Sequence, residues 1–67
     1  MGFQKIFEDR QEVRAEIVKG VLHEHEINAV IVPKKDSSYQ FGFFEVHVDH
    51  DDVIKSIKII EEEIKFE

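Results

Sequence analysis

The amino-acid sequence predicts an α+β sandwich in which a three-stranded antiparallel sheet carries two helices on one face. Two observations predict it. The spacing of apolar residues switches between strand-like alternation and helical periodicity in the order strand, helix, strand, strand, helix. Each helical segment also has one apolar side, which is buried most simply against a sheet.

The elements follow in order. Phe3–Phe7 alternates loosely and stops at the acidic pair Glu8 and Asp9, which reads as a short first strand. From Asp9 the period lengthens. Val13, Ile17 and Val21 recur at spacings of four with Val18 and Leu22 beside them, while Glu12, Arg14, Glu16, Lys19 and Glu24 fill the other side. That pattern is an amphipathic helix of about 16 residues. Asp9 suits its N-cap, and Glu12 completes a capping-box pair. Gly20 inside this helix costs about 1 kcal/mol relative to Ala, so close packing of helix on sheet is expected there.

In Ile27–Pro33 the residues Ala29, Val30, Ile31 and Val32 are consecutive and apolar. They read as a strand covered on both faces, ended by Pro33, which has no N–H for a ladder. Lys34, Lys35, Asp36, Ser37 and Ser38 form a polar loop. Tyr39–Val48 is the third strand, with Phe44, Val46 and Val48 on one side and Phe43, Glu45 and His47 on the other. Gly42 marks a bulge or a close backbone approach. Asp49 caps the last helix, with Asp51 and Asp52 in its first turn. Its buried stripe is Val53, Ile57, Ile60 and Ile64 with Ile54 alongside. This βαββα order resembles a ferredoxin-like fold, which normally adds a fourth strand; here the second helix is expected to run almost to Glu67.

The chain has 67 residues, with 9 Lys+Arg, 15 Asp+Glu and a formal net charge of −6. It is expected to form one domain over residues 1–67 with a thin core, because a chain this short buries only about 60% of its unfolded surface. With no Cys it has no disulfide framework and no thiolate metal site. The acidic balance argues against nucleic acid as a partner. The longest apolar run, Ala29 to Pro33, is far short of the roughly 20 residues that span a bilayer. No signal peptide is evident, so the cytosol is the expected compartment and a membrane is not an expected partner.

Helices on one face leave the other bare. That face is expected to carry Phe3 or Phe7, alternate residues of Ala29–Val32, and Phe43 with His47, and to be too apolar for water on a small monomer. The first strand lies at an edge without its usual neighbour. A second copy in a homodimer, or another protein, is the expected cover, with Phe3, Phe7, Phe43 and His47 as the association surface.

The stretch Val30-Ile31-Val32-Pro33-Lys34-Lys35-Asp36-Ser37-Ser38-Tyr39-Gln40-Phe41-Gly42, closing with Glu45-Val46-His47-Val48, resembles the putative prokaryotic signal-transducing protein family. The upstream helix, Ala15-Glu16-Ile17-Val18-Lys19 through Leu22, fits it too, and the similarity covers roughly residues 5 to 62. The resemblance implies a short bacterial ferredoxin-like domain with a regulatory role, by analogy with sensors of the PII type. It defines no catalytic residue. It directs attention to Lys34, Lys35, Asp36, Ser37, Ser38, Tyr39, Phe41 and Gly42 as a ligand or partner surface. Where relatives place Gly at the end of the first helix this chain has Glu26, and Glu tolerates a left-handed residue poorly, so the helix is expected to end differently here.

The remaining candidates are weaker. The two Lys and two Ser of the loop suit a small anion, although Asp36 opposes one and turn chemistry explains the same residues. His47, Asp49, His50 and Asp51 carry metal-ligating groups, but their spacing matches no recognised site and capping already occupies the carboxylates. No metal and no cofactor is expected. Phe41-Gly42-Phe43-Phe44 looks like a base-stacking strand of an RNA-binding domain, yet Gln40 stands where a basic residue would and the chain is acidic. Ser37 and Ser38 have no general base at a motif spacing, so no enzyme activity is expected. The leading expectation is a regulatory binding module acting through association. The alternative is a purely structural homo-oligomer.

Overall fold

The structure is a computed structural model and describes residues 2–35 and 42–66. Strand β1 spans Phe3–Asp9, helix α1 Glu12–Glu24, β2 Ala29–Lys35, β3 Gly42–Asp49 and helix α2 Val53–Glu63, with a single 3₁₀ turn, His50–Asp52, before α2. The strands form one antiparallel sheet in the order β1-β3-β2. The predicted βαββα architecture is therefore present.

Strand β3 sits in the middle, paired with β1 on one edge and β2 on the other, and its alternation serves both faces of the sheet. Val46 and Val48 are fully buried toward the helices, and Phe44 packs against the same core. Ala15, Val18 and Leu22 of α1, Ile59 of α2, and Ile27 and Ala29 close that core from above. The helical stripes are rotated from those the large apolar residues suggest. Val13 and Ile17 are 60% and 45% exposed, and Ile54 and Ile57 are 84% and 41% exposed. The small residues Ala15 and Ser56 lie buried instead, since a helix backbone approaches a sheet most closely where side chains are short. Ser56 Oγ has no hydrogen-bond partner among the described residues.

Several local expectations are corrected. Strand β2 begins at Ala29 and continues through Pro33 to Lys35. Pro33 is tolerated because β2 is an edge strand. Nor is β2 covered on both faces: Val30, on the side away from the helices, is 38% exposed. The N-cap of α1 is Gln11, not Asp9. Asp9 Oδ1 instead accepts the Gln11 N–H at 2.8 Å, and its other oxygen faces Arg14 at 3.5 Å. Gly20 is exposed with open space where a Cβ would stand, so close packing does not account for it. Asp49 accepts the Asp51 N–H at 3.0 Å and so caps the 3₁₀ turn, leaving α2 without a side-chain cap. Helix α2 stops at Glu63, and Ile64 is extended. Phe66 then packs on Phe7 with ring centroids 6.0 Å apart, beneath the Arg14 guanidinium at 5.0 Å. Tyr39–Phe41, expected to open the third strand, lie outside the described residues.

The end of α1 is informative. Ile27 N–H bonds Leu22 O and Glu26 N–H bonds His23 O, both at 2.9 Å. This is a Schellman motif, with buried Ile27 against Leu22 as its apolar contact. The motif requires a left-handed residue at position 26, and Glu26 adopts it at φ 63°. The helix therefore ends as it would with Gly, against expectation, and Glu26 carries the strain. A left-handed L-residue costs roughly 1–2 kcal/mol. Glu26→Gly is expected to raise the unfolding free energy by about 1 kcal/mol, read from urea denaturation; an unchanged or lower midpoint would show that the strain is relieved elsewhere.

Candidate functional site

Away from the helices the sheet has a second face that no described element covers. Its residues follow from register. His47 stands opposite Lys5 and Val30, and Glu45 opposite Glu8 and Val32. Phe43 faces Lys34, and Phe3 faces Asp49. Of the predicted association residues, Phe3, Phe43 and His47 are on this face. Phe7 is not. The register between β1 and β3 slips by one residue between Lys5 and Phe7, so Ile6 is extra. That bulge turns both Ile6 and Phe7 toward the core.

The face is mixed, not simply apolar. Phe3 is 47% exposed and Val30 partly so, while Phe43 and Val32 are half-buried. Between them runs a charged row that sequence reasoning missed. Lys5 Nζ lies 2.6 Å from Glu8 Oε1 and 3.9 Å from Glu45 Oε2. Glu45 Oε1 accepts a hydrogen bond from His47 Nε2 at 2.9 Å, which assigns the ring proton to that nitrogen. Glu8 and Glu45 face each other across the ladder, and like charges so placed repel; Lys5 sits against both and offsets the repulsion. The one signal available beforehand was Glu45 and His47 alternating with valines in a strand otherwise rich in apolar residues.

The hydrogen bond from His47, aided by Lys5 and Lys34, holds the Glu45 carboxyl below its ordinary value against the opposing effect of desolvation. The hydrogen bond and charge of Glu8 raise the Lys5 ammonium. A carboxyl depressed in the folded state stabilises the fold above its unfolded value, and that stabilisation is lost as pH falls through the folded value.

Lys34 and Lys35 end β2, exposed, beside this face. Gly42 pairs with Lys35 across the ladder. A Cβ on Gly42 would stand 2.8 Å from the Lys34 carbonyl oxygen, so of the two readings of this glycine the close backbone approach is the one observed. Asp36, Ser37, Ser38, Tyr39 and Phe41, the rest of the predicted loop surface, lie outside the described residues. Two open depressions flank the face. One of about 470 Å³ is lined by Glu8, Asp9, Arg10, Gln11 and Phe43, the other of about 390 Å³ by Gly2, Phe3, Gln4 and His50. Among the described residues no three His, Asp or Glu side chains converge as a metal would require. His47 turns to Glu45, while His50 Nδ1 meets Gln4 Oε1 at 3.3 Å.

Residues 3–64 match the family described as putative prokaryotic signal transducing protein. The chain belongs to that family. No curated protein and no solved structure matches it. No helix of the described residues is long and apolar enough to cross a membrane.

Two outcomes test this geometry. Gly42→Ala is expected to lower stability by about 1–3 kcal/mol, because the backbone of β2 must give way; an unaltered thermal midpoint would mean the strands separate freely at that end. In urea titrations across acidic pH, Glu45→Gln is expected to flatten the loss of stability below about pH 4.3, the ordinary glutamate value. Parallel acid profiles for the two chains would remove Glu45 from the pH dependence.

Proposed function

We propose that this chain is a small regulatory or signal-transducing binding module that works in the cytosol by protein association and not by catalysis. Its contact surface is the uncovered side of the sheet, and residues 34–42 form the adjoining ligand or partner surface. The observation that carries this reading is the sheet face that no described element covers, which exposes Phe3 and Val30 around the fixed Lys5–Glu8 and Glu45–His47 contacts. Apolar margins supply affinity, and a preorganised charged row supplies selectivity, because ion pairs discriminate between partners more than they add binding energy. Membership of a family described as signal transducing supports the regulatory part.

Of residues 34–42, Lys34 and Lys35 at the end of β2 supply charge to an acidic partner or small anion, Ser37 and Ser38 supply hydrogen bonds, and Tyr39 and Phe41 supply apolar anchoring. The test is native mass spectrometry and sedimentation of the chain isolated from its own cells. An assembly is expected, and Val30→Lys, on the open face, should remove the part of it that uses that face while circular dichroism stays native. Replacing Lys34, Lys35 and Tyr39 should lose a bound ligand or partner and leave self-assembly intact. A chain recovered as a bare monomer would overturn the proposal.

A further inference from the structure

The two edges of the sheet differ, and the difference selects a partner. Strand β2 is protected as an edge: Pro33 in its middle removes a backbone donor, and Lys34 and Lys35 follow directly. Strand β1, the other edge, contains no Pro, and among the described residues no strand pairs with its outer side.

A lone lysine on an edge strand ordinarily repels a second edge. Here the Ile6 bulge changes that outcome. In a regular strand, residues three apart point to opposite faces. Because of the extra residue, Lys5 and Glu8 stand opposite His47 and Glu45, which are two apart on β3 and so share a face. When a strand pairs antiparallel with its own copy about a two-fold axis normal to the sheet, directly opposed residues must also share a face. The bulge is what allows Lys5 and Glu8 to be such a pair. We infer that the partner for the β1 edge is a second copy of this chain, paired antiparallel so that Lys5 of each copy faces Glu8 of the other, with Ile6 and Phe7 opposed near the axis.

This deepens the association reading above and rests on it. Each Lys5–Glu8 contact, 2.6 Å within one chain, exchanges for an equivalent contact between chains, so the dimer introduces no unpaired charge. The joined edges make one six-stranded sheet. The interface is narrow, which makes the dimer weak and concentration-dependent.

Charge exchange tests it. Lys5→Glu alone and Glu8→Lys alone each put like charges opposite one another twice in the homodimer, and each should weaken it about tenfold or more by sedimentation. An equimolar mixture of the two variants restores both opposite-charge pairs between chains and none within a chain, so the mixture should dimerise where neither variant does. Wild-type chains need no substitution: in a mixture of isotopically light and heavy chains, carbodiimide coupling should yield a light–heavy Lys5–Glu8 crosslink. A wild-type dimer that survives both single changes and gives only intrachain crosslinks would overturn the edge pairing and leave association through the open face standing. A wild-type chain that is monomeric yet holds a different protein would overturn self-pairing alone. A monomer that holds nothing would overturn both readings.

Discussion

The organisation of this molecule depends on the two-sided alternation of its central strand. Strand β3 directs Phe44, Val46 and Val48 toward the helices and Phe43, Glu45 and His47 away from them. Every other element answers to one of those two rows. The apolar row takes α1 and α2, because only helices with an apolar side can remove three large side chains from water at once. The mixed row takes the charges of β1 and β2, with Lys5 beside both Glu8 and Glu45. A one-residue slip of β3 would exchange the rows and bury Glu45 in the core. The charged row is thus also a register lock.

Much of the fold was legible because strand and helix periodicities differ and this chain keeps them apart. The order of elements and the two faces of β3 follow from alternation alone. What escaped has physical reasons. The helical stripes were misplaced because burial was assigned to the largest apolar residues, whereas closest approach falls at Ala15 and Ser56, where short side chains permit it. Phe7 was placed on the wrong face because a bulge breaks the count of two, and the adjacent pair Ile6 and Phe7 was its only trace. Glu26 was misjudged because a conformational cost was treated as a veto. The two Schellman bonds and the burial of Ile27 hold the left-handed turn despite that cost. Pro33 as a strand terminator is a rule that holds in the middle of a sheet and fails at its edge.

The charged row also sets the cost of the contact proposed for the open face. An exposed ion pair contributes little, about 0–1 kcal/mol, and a buried one must recover its lost hydration. A partner covering the whole face would strip water from the half-exposed Lys5 and Glu8, finish the burial of Glu45 and His47, and have to match each of them. Contact at an edge avoids most of that cost. It uses the backbone groups of the β1 edge and leaves the row partly wet, touching only its outermost members. Edge and face are therefore unequal options for this surface, and the hydration of the charges is what separates them.

The core makes the proposed association consequential for the chain itself. Of the eight buried apolar residues among those described, Ala15 and Ala29 contribute little area, and the Ser56 hydroxyl, with no partner among the described residues, subtracts from what the others gain. Burying a Val or Leu side chain stabilises by about 1.5–3 kcal/mol, so the margin of such a core amounts to only a few side chains. A partner that binds the folded chain alone adds about 2.7 kcal/mol at a hundredfold excess over its dissociation constant, as much as one of those side chains. Folded population and partner concentration are then coupled quantities, and such a domain can register the proposed partner through its own stability.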